Sequence, residues 1–312
     1  MPYRSALHLH FCIALDKKLT YFVSDVHLGL DIADPDVRER RFVSFLKGLP
    51  QETKALYLLG DIWDFWYEYR DVVPKGYVRV FAALQDLMDR GVQVFFFQGN
   101  HDVWTYRYFE ELGMKRLVQP ALVEISGKKF CLGHGDGLGP VPVGYRILRG
   151  VFDNRVLQFL FSMLHPWIAF GLGNGWSKSN RLSHDREYVF RGVDEPLYKF
   201  AETFDREHDV DYFIFGHYHA DVHMALPSGS EFHILKDWIH ASPFLCFDGK
   251  VISPCHPVEC WDLQIFFRNR HLRRILPEKR SIKCRKITGF PYKYEFLCQD
   301  IFSFWIVRLL QV

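Results

Sequence analysis

The stretch ALYLLGDIWD, residues 55–64, passes from five consecutive apolar residues into a glycine and an aspartate. A short, continuous apolar run of this kind is typical of a strand that is buried on both faces. Four other apolar runs also end in polar residues: LTYFVSDVH (19–27), VQVFFFQGNHD (92–102), KKFCLGHGD (128–136) and DYFIFGHYH (211–219). The polar residues therefore follow the ends of buried strands, which is where open α/β sheets bind ligands.

Segments with helical periodicity lie between the first strands. Residues 37–48 and 77–90 are such segments, and Gly91 follows the second one as a stop signal. The alternation of strand and helix predicts an α/β domain. Between residues 140 and 200 the pattern changes to an apolar helical insertion, and residues 222–249 alternate as antiparallel strands do.

The composition divides the chain into three parts. We predict an N-terminal extension at residues 1–18, one domain at residues 19–249 and a C-terminal extension of unknown role at residues 250–312. Four of the seven cysteines lie in the last part, which shows no readable periodicity. Their spacing matches no common zinc module, so we do not predict a zinc site there.

Composition and charge exclude several classes of protein. A formal net charge of +2 over 312 residues argues against a dedicated nucleic-acid binder. Seven cysteines at scattered positions favour a reduced, cytoplasmic protein over a disulfide scaffold. No uncharged apolar run reaches the length of about 18 residues that a membrane span needs, and the apolar residues 6–15 lack the cleavage site of a signal peptide. We therefore expect a cytoplasmic protein that is at most peripherally attached to a membrane.

The strand ends supply carboxylate, imidazole and amide side chains. The residues concerned are Asp25, His27, Asp61, Asn100, His101, His134, His217 and His219. This mixture of oxygen and nitrogen ligands without thiolate suits a pair of divalent first-row ions such as Mn, Fe or Zn. Each short motif would carry little weight alone, because a single histidine at a strand end is more often structural. Five such motifs, each at the end of a buried strand, together predict a two-metal site, with Asp61 as the natural bridge between the ions.

The series DxH, GD, GNHD, GHGD and GHxH resembles the motifs of the calcineurin-like metallophosphoesterases over residues 20–249. The resemblance implies two facing β-sheets flanked by helices, with the helical insertion as a lid. It also implies which residues hold each ion: Asp25, His27, Asp61 and His219 the first, and Asp61, Asn100, His134 and His217 the second. His101 is then no ligand but a catalytic residue, alongside Asp61 and Asn100, that contacts the phosphoryl oxygens or the leaving group. We expect Asp102 to orient its ring.

Within that family the chain is most similar to the UDP-2,3-diacylglucosamine diphosphatases of the lipid A pathway in Gram-negative bacteria. The similarity rests on GDIWDFWYEYRDVVPKGY (60–77), GNHDVW (99–104), HGDGLGP (134–140) and DWI (237–239). It implies hydrolysis of the pyrophosphate bond to UMP and 2,3-diacylglucosamine 1-phosphate, with two divalent ions, Mn first and Fe or Zn as alternatives. We further expect contact with the inner face of the inner membrane. From the net charge we expect no nucleic-acid partner, and we infer no protein partner. Some members carry arginine where this chain has His101.

A substrate that joins a pyrophosphate to two acyl chains needs cations beside an apolar groove. We expect residues 156–172 to line the acyl chains, with Phe159, Phe161, Leu164 and Trp167 in the groove. Residues expected to bind the polar part of the substrate are Tyr145, Lys178, Ser179 and Arg181. Ordinary core packing is the alternative for the apolar helix, and a solvated loop is the alternative for residues 178–181.

Two other functions stay open at this point. A different phosphoesterase, such as a phosphomonoesterase or a cyclic-nucleotide phosphodiesterase, would fit an insertion that is polar and open. A non-catalytic scaffold would lack some of the metal ligands, and none of the seven is missing from this sequence.

Overall fold

The computed structural model of the chain describes residues 18–183 and 188–255, except for the side chains at positions 174, 176 and 178–183. All described residues belong to one compact unit. Residues 1–17 of the expected N-terminal extension and residues 256–312 of the expected C-terminal extension lie outside the described residues.

The first half of the described chain forms one sheet with its flanking helices. Its elements are β1 (Leu19–Val23), α1 (Pro35–Gly48), β2 (Thr53–Leu58), α2 (Val78–Asp89), β3 (Gln93–Phe97), α3 (Tyr108–Glu111) and β4 (Lys115–Leu117). Strands β1 to β4 are parallel neighbours in that order. Helix α1 begins at Pro35, whose fixed φ suits a first helical turn, and the Asp34 carboxylate accepts a hydrogen bond from the Val37 N–H at 3.0 Å. The helices predicted at residues 37–48 and 77–90 are confirmed.

The second half contributes a second sheet, the helical insertion and two strands that return to the first sheet. Its elements are β5 (Ala121–Ile125), β6 (Lys128–Leu132), α4 (Val143–Asp153), α5 (Arg155–Ser162), α6 (Pro166–Ser183), α7 (Pro196–His208), β7 (Tyr212–Phe215), β8 (Val222–Ala225), β9 (Glu231–Ile234), β10 (Phe244–Phe247) and β11 (Ile252–Cys255). The strand order is β11-β10-β1-β2-β3-β4 in the first sheet and β5-β6-β7-β9-β8 in the second. Strands β6 and β7 are parallel neighbours.

The two sheets face each other across an apolar layer. The ring of Phe22 on β1 stacks on Tyr57 of its own sheet at 5.3 Å and on Phe130 of the other sheet at 5.7 Å. Phe22 and Phe130 are fully buried, as expected for strands that are covered on both faces. The predicted arrangement of two facing β-sheets flanked by helices is therefore confirmed.

Helices α4, α5 and α6 form the predicted helical insertion between β6 and β7. The last residues of the range 140–200 belong instead to α7, which packs on the second sheet through Leu197 and Ala201. Within residues 18–183 and 188–255, no helix combines the length and the apolar character that crossing a bilayer requires.

The first sheet continues past Gly249, where we expected the domain to end. Strand β11 pairs with β10 in an antiparallel ladder from Phe244↔Cys255 to Phe247↔Ile252. Ile252 packs against the apolar layer between the sheets. The sequence did not indicate β11, because it is a four-residue edge strand of which only Ile252 and Cys255 are partly buried, so it lacks a continuous apolar run.

We predict that the chain depends on β11 for part of its stability. A chain shortened to end at Gly249 lacks β11, whereas one that ends at Cys255 keeps it. Four cross-strand pairs are lost in the shorter chain, and at roughly 0.2–1 kcal/mol for each pair its free energy of unfolding should be lower by about 1–4 kcal/mol. Urea unfolding followed by circular dichroism measures the difference. Equal free energies of unfolding would contradict a structural role for β11.

Candidate metal centre

The carboxyl ends of strands from both sheets meet at one edge of the apolar layer. Asp25 follows β1, Asp61 follows β2, and Asn100 follows β3. His134 follows β6, and His217 follows β7 with His219 two residues later. The structure thus brings together side chains that are far apart in sequence, including all seven expected ligands.

The backbone at these strand ends is unusual. Five of the expected ligands have positive φ angles, namely Asp25 (53°), His27 (50°), Asp61 (51°), His217 (70°) and His219 (53°). Residues other than glycine adopt this left-handed conformation at a cost of roughly 1–3 kcal/mol, and they do so mostly at functional sites. Backbone hydrogen bonds hold the turns, for example from Asp25 N–H to the Gly60 carbonyl at 3.1 Å.

The first group of ligands comprises Asp25, His27 and His219. Asp25 Oδ1 lies 3.6 Å from His27 Nε2 and 3.4 Å from His219 Nε2. The two Nε2 atoms are 3.3 Å apart. Three donor atoms of the kinds that first-row metals prefer therefore converge on one point.

The outer nitrogens of the two imidazoles in this group are held by carboxylates. His27 Nδ1 lies 3.2 Å from Asp64 Oδ1, and His219 Nδ1 lies 3.0 Å from Asp237 Oδ2. With the protons kept at Nδ1, both Nε2 lone pairs face each other, and Asp25 Oδ1 accepts no hydrogen bond from the described residues. This orientation of metal-binding histidines by carboxylates is general, and a cation between the three atoms satisfies all of them. The residues present therefore fit a divalent ion.

The second group comprises Asn100, His134 and His217. Asn100 Oδ1 lies 3.1 Å from His134 Nε2 and 2.9 Å from His217 Nδ1. His134 Nδ1 lies 3.0 Å from the Leu59 carbonyl, to which it donates. That bond leaves Nε2 as the nitrogen that faces Asn100.

Asp61 stands between the two groups. Its Oδ2 lies 3.3 Å from His134 Nε2 in the second group and 3.9 Å from His27 Nε2 in the first. Its other oxygen, Oδ1, accepts a hydrogen bond from the His101 N–H at 2.8 Å. This position is the one that a bridging carboxylate requires.

The electrostatics of the cluster favour a positive charge between these groups. Burial opposes ionisation of Asp61, but His134 and His101 hold the pKa of that carboxyl well below its usual value. Burial likewise opposes the charged form of His134, yet Asp61 and Asp25 raise its pKa well above the usual value. Burial, with His134 nearby, lowers the pKa of His217 to about 4, so its lone pair is available at neutral pH. Without an ion, the carboxylates stabilise a proton on His134. A divalent ion would supply that positive charge instead.

Two of the glycines that precede these ligands leave no room for a side chain. A Cβ atom on Gly99 would lie 2.1 Å from Asp61 Oδ1, and one on Gly216 would lie 2.3 Å from Asp25 Oδ2. Any larger residue at either position would push a carboxylate out of the cluster. This close approach explains why glycine precedes Asn100 and His217.

His101 lies beside the metal cluster, with its ring centroid 5.0 Å from that of His27. The Asp64 carbonyl, 2.9 Å from His101 Nδ1, fixes the orientation of the ring. The expectation that Asp102 orients His101 is wrong. The Asp102 carboxylate instead accepts hydrogen bonds from the backbone N–H groups of Gly99 at 2.8 Å and Ile62 at 2.9 Å, because these buried donors need acceptors.

A cavity of about 500 Å³ opens next to Asn100 and His101 under the helical insertion. Tyr145, one of the residues predicted to bind the substrate, is part of its wall. Of the four expected groove residues only Phe161 lines it, together with Leu157 and Leu172. The expectation fails for the other three: α5 and α6 expose Phe159 (64%) and Trp167 (78%), and Leu164 lies in the turn between these helices, outside the cavity wall. Lys178, Ser179 and Arg181 lie in α6, but their side chains are outside the described residues.

The sequence analysis missed several polar residues that support the site. Asp136 accepts hydrogen bonds from the Tyr145 hydroxyl at 2.6 Å and from Arg149 at 2.9 Å. The Ser177 hydroxyl donates to Asp64 Oδ2 at 2.6 Å. Asp64 and Asp136 follow metal motifs within three residues, a signal that could have identified them, whereas no sequence signal marks Arg149 or Ser177.

Comparison with known proteins gives consistent results. The family model described as calcineurin-like phosphoesterase matches residues 19–221. A UDP-2,3-diacylglucosamine hydrolase of Porphyromonas gingivalis is 37% identical over 248 residues, which are 74% of this chain and 95% of that protein. One of Yersinia pseudotuberculosis is 32% identical over 205 residues, covering 64% of this chain and 81% of the relative. Solved structures align more weakly; an archaeal phosphodiesterase covers 76% of this chain and 99% of its own at 12% identity and a TM-score of 0.39.

Proposed function

This chain belongs to the calcineurin-like phosphoesterase family, and on that premise we propose that it hydrolyses the pyrophosphate bond of UDP-2,3-diacylglucosamine. The products are UMP and 2,3-diacylglucosamine 1-phosphate, and the reaction belongs to lipid A biosynthesis in a Gram-negative bacterium. The observation that most directly supports the proposal is the largely apolar cavity that opens beside Asn100 and His101. Two relatives in which most of the protein aligns with this chain are named for the same substrate, which supports the proposal.

We propose that the two groups around Asp61 hold two divalent ions, Mn first, with Fe or Zn as alternatives. The first ion would be held by Asp25, His27, Asp61 and His219, and the second by Asp61, Asn100, His134 and His217. When bound, such ions supply Lewis-acid polarisation of the phosphoryl oxygens and activate the attacking water. Binding through neutral imidazoles and carboxylates requires deprotonated ligands, as Asp61 and His217 are at neutral pH.

His101, Asn100 and Asp61 take catalytic roles in this proposal. His101 Nδ1 donates to the Asp64 carbonyl, so in the imidazolium form Nε2–H is the group that contacts a phosphoryl oxygen or gives its proton to the leaving group, leaving a neutral ring. Asn100 lines the cavity and contacts His134 and His217, so it joins the bound substrate to the second group of ligands. Asp61 connects both groups and also accepts from the His101 N–H.

The acyl chains would occupy the cavity under the insertion. Apolar side chains from α4, α5 and α6 meet there, including Phe152, Leu157 and Leu172. Burying ten methylene groups would contribute roughly 8 kcal/mol before ordering costs, at about 0.8 kcal/mol each. The proposed polar contacts are Tyr145, Lys178, Ser179 and Arg181, of which Tyr145 lies in the cavity wall.

The outer face of the insertion is apolar and basic, and we propose that it contacts the inner face of the inner membrane, so that the enzyme is cytoplasmic and peripheral. Exposed apolar residues of the insertion that do not line the cavity are Val143, Ile147, Val156, Phe159, Leu160, Met163, Trp167 and Ile168. Among the described side chains of the insertion, Arg146 and Arg155 are exposed, whereas Arg149 lines the cavity and pairs with Asp136. Apolar side chains flanked by positive charge favour an anionic lipid surface.

The alternatives fit the structure less well. A phosphomonoesterase or a cyclic-nucleotide phosphodiesterase needs no large apolar cavity, and the insertion encloses one. A non-catalytic scaffold needs no ordered cluster of buried ligands, whereas Asp25, His27 and His134 are fully buried around common points.

We predict that the enzyme prefers acylated substrate through Phe161. The metal-loaded protein should show a much higher kcat/KM for UDP-2,3-diacylglucosamine than for UDP-N-acetylglucosamine, measured as UMP release. Phe161→Asp should reduce this preference at least about tenfold, because acyl chains would have to pack against a charge. The matched variant Phe159→Asp changes an exposed residue outside the cavity and should retain the preference in detergent solution. Equal kcat/KM for the two sugar nucleotides in the unmodified enzyme would refute the lipid assignment.

We predict different phenotypes for the bridging residue and for the neighbouring histidine. Asp61→Ala should lose both ions and all activity, because both positions share that carboxylate. His101→Ala should keep its metal content while turnover falls by roughly a hundredfold or more, the usual scale for the loss of a general acid or a phosphoryl contact. Elemental analysis and turnover of the same preparations provide the comparison. Equal metal loss in both variants would show that His101 is a ligand.

We predict that the enzyme sediments with anionic phospholipid vesicles through the outer face of the insertion. The double variant Phe159→Asp/Trp167→Asp should lose most of this binding. Its control is Val118→Asp/Val251→Asp, which introduces the same charge at exposed apolar residues outside the insertion. If the two double variants bind vesicles equally, the membrane-facing surface lies elsewhere.

A further inference from the structure

Arg41 on helix α1 makes an unusual set of hydrogen bonds. Its guanidinium donates to four consecutive backbone carbonyls, those of Trp238 at 3.1 Å, Ile239 at 3.2 Å, His240 at 3.1 Å and Ala241 at 3.2 Å. Hydrogen bonds from a charged donor are stronger than neutral ones, and a planar guanidinium can serve several acceptors at once. The Arg41 side chain therefore connects the turn formed by residues 238–241 to helix α1 by four hydrogen bonds.

The same turn holds two members of the first ligand group. Asp237, immediately before the turn, lies 3.0 Å from His219 Nδ1 through Oδ2, and its Oδ1 accepts from the Ile239 N–H at 2.8 Å. At the start of the turn, the Trp238 N–H donates to the backbone carbonyl of Asp25 at 2.9 Å. A shift of this turn would therefore move both Asp25 and the carboxylate that orients His219.

The second ligand group is anchored in a different way. Asn100 Oδ1 contacts His134 and His217 directly, and His134 Nδ1 donates to the Leu59 carbonyl at the end of β2. These contacts run through the strand ends of β2 and β3, and the second group meets a residue held by the turn only at its backbone, where the His217 N–H donates to Asp25 Oδ2 at 3.0 Å. The two proposed metal positions should thus respond differently to a change at Arg41.

We propose that Arg41 is a positioning residue for one of the two metal positions, the one formed by Asp25, His27 and His219. It acts through the turn of residues 238–241, which places Asp237 so that His219 presents Nε2 to the ion. The inference rests on the proposed two-metal centre and does not depend on the substrate. The Asp237–His219 contact is one step removed from the ion, and losing a contact of this kind typically lowers metal affinity by roughly 10–100-fold; Arg41 acts by holding the turn that positions Asp237.

The test compares Arg41→Lys with the matched variant Arg90→Lys. Lysine keeps the charge but cannot reach four carbonyls, and Arg90 donates to the Leu49 carbonyl at 3.2 Å. Manganese binding is measured by equilibrium titration with electron paramagnetic resonance, and thermal unfolding is measured on the metal-free proteins. We expect wild type and Arg90→Lys to bind two ions with the same affinities. Arg41→Lys should keep one ion at wild-type affinity and bind the other about 10–100-fold more weakly.

Three results would overturn the inference. They are an Arg41→Lys protein with both affinities unchanged, one with both affinities lowered equally, and a wild-type protein that binds fewer than two ions. Asp237→Asn provides a second variant should Arg41→Lys unfold, and it should weaken the same single ion. Wild-type protein that binds two ions but releases no UMP from UDP-2,3-diacylglucosamine would refute the proposed substrate and leave the role of Arg41 standing.

Discussion

Two fully buried carboxylates, Asp25 and Asp61, impose the constraint on which the rest of the site depends. A buried negative charge is stable only when positive charge or hydrogen-bond donors compensate it. Backbone N–H groups satisfy one oxygen of each, from His217 to Asp25 and from His101 to Asp61. The remaining oxygens face imidazoles, and the positive charge that they attract raises the pKa of His134 well above its usual value. Divalent ions would supply that charge instead, so the packing of these carboxylates favours a metal centre.

The fold meets this constraint by making strand ends from two sheets converge. Parallel strands β1, β2 and β3 in one sheet and β6 and β7 in the other direct their carboxyl ends to the same edge. The cost of this convergence is backbone strain at the strand ends. Five ligands adopt left-handed backbone conformations, and Gly99 and Gly216 lie so close to carboxylates that a Cβ atom would not fit. Such conformations persist because the surrounding aromatic layer and backbone hydrogen bonds fix the turns.

Sequence reasoning was sufficient where a local pattern determines the outcome. The buried strands and the ligand motifs adjoin one another, so the convergence of Asp61 with Asn100 followed from strand order. It was not sufficient where tertiary packing determines which way a side chain points. Helical periodicity places Phe159 and Phe161 in one apolar segment, and only the packing of α5 shows that Phe161 lines the cavity and Phe159 does not. Asp102 follows His101 in the chain, but its carboxylate serves backbone donors across the site.

The helical insertion covers the cavity beside Asn100 and His101 and exposes apolar residues on its other face. The central claim, two ions bridged by Asp61, is tested most directly by anomalous diffraction from crystals of the enzyme grown with manganese. The account predicts two manganese peaks, one within reach of Asp25, His27 and His219 and one within reach of Asn100, His134 and His217, with Asp61 contacting both. A single peak, or a peak that Asp61 does not contact, would contradict it.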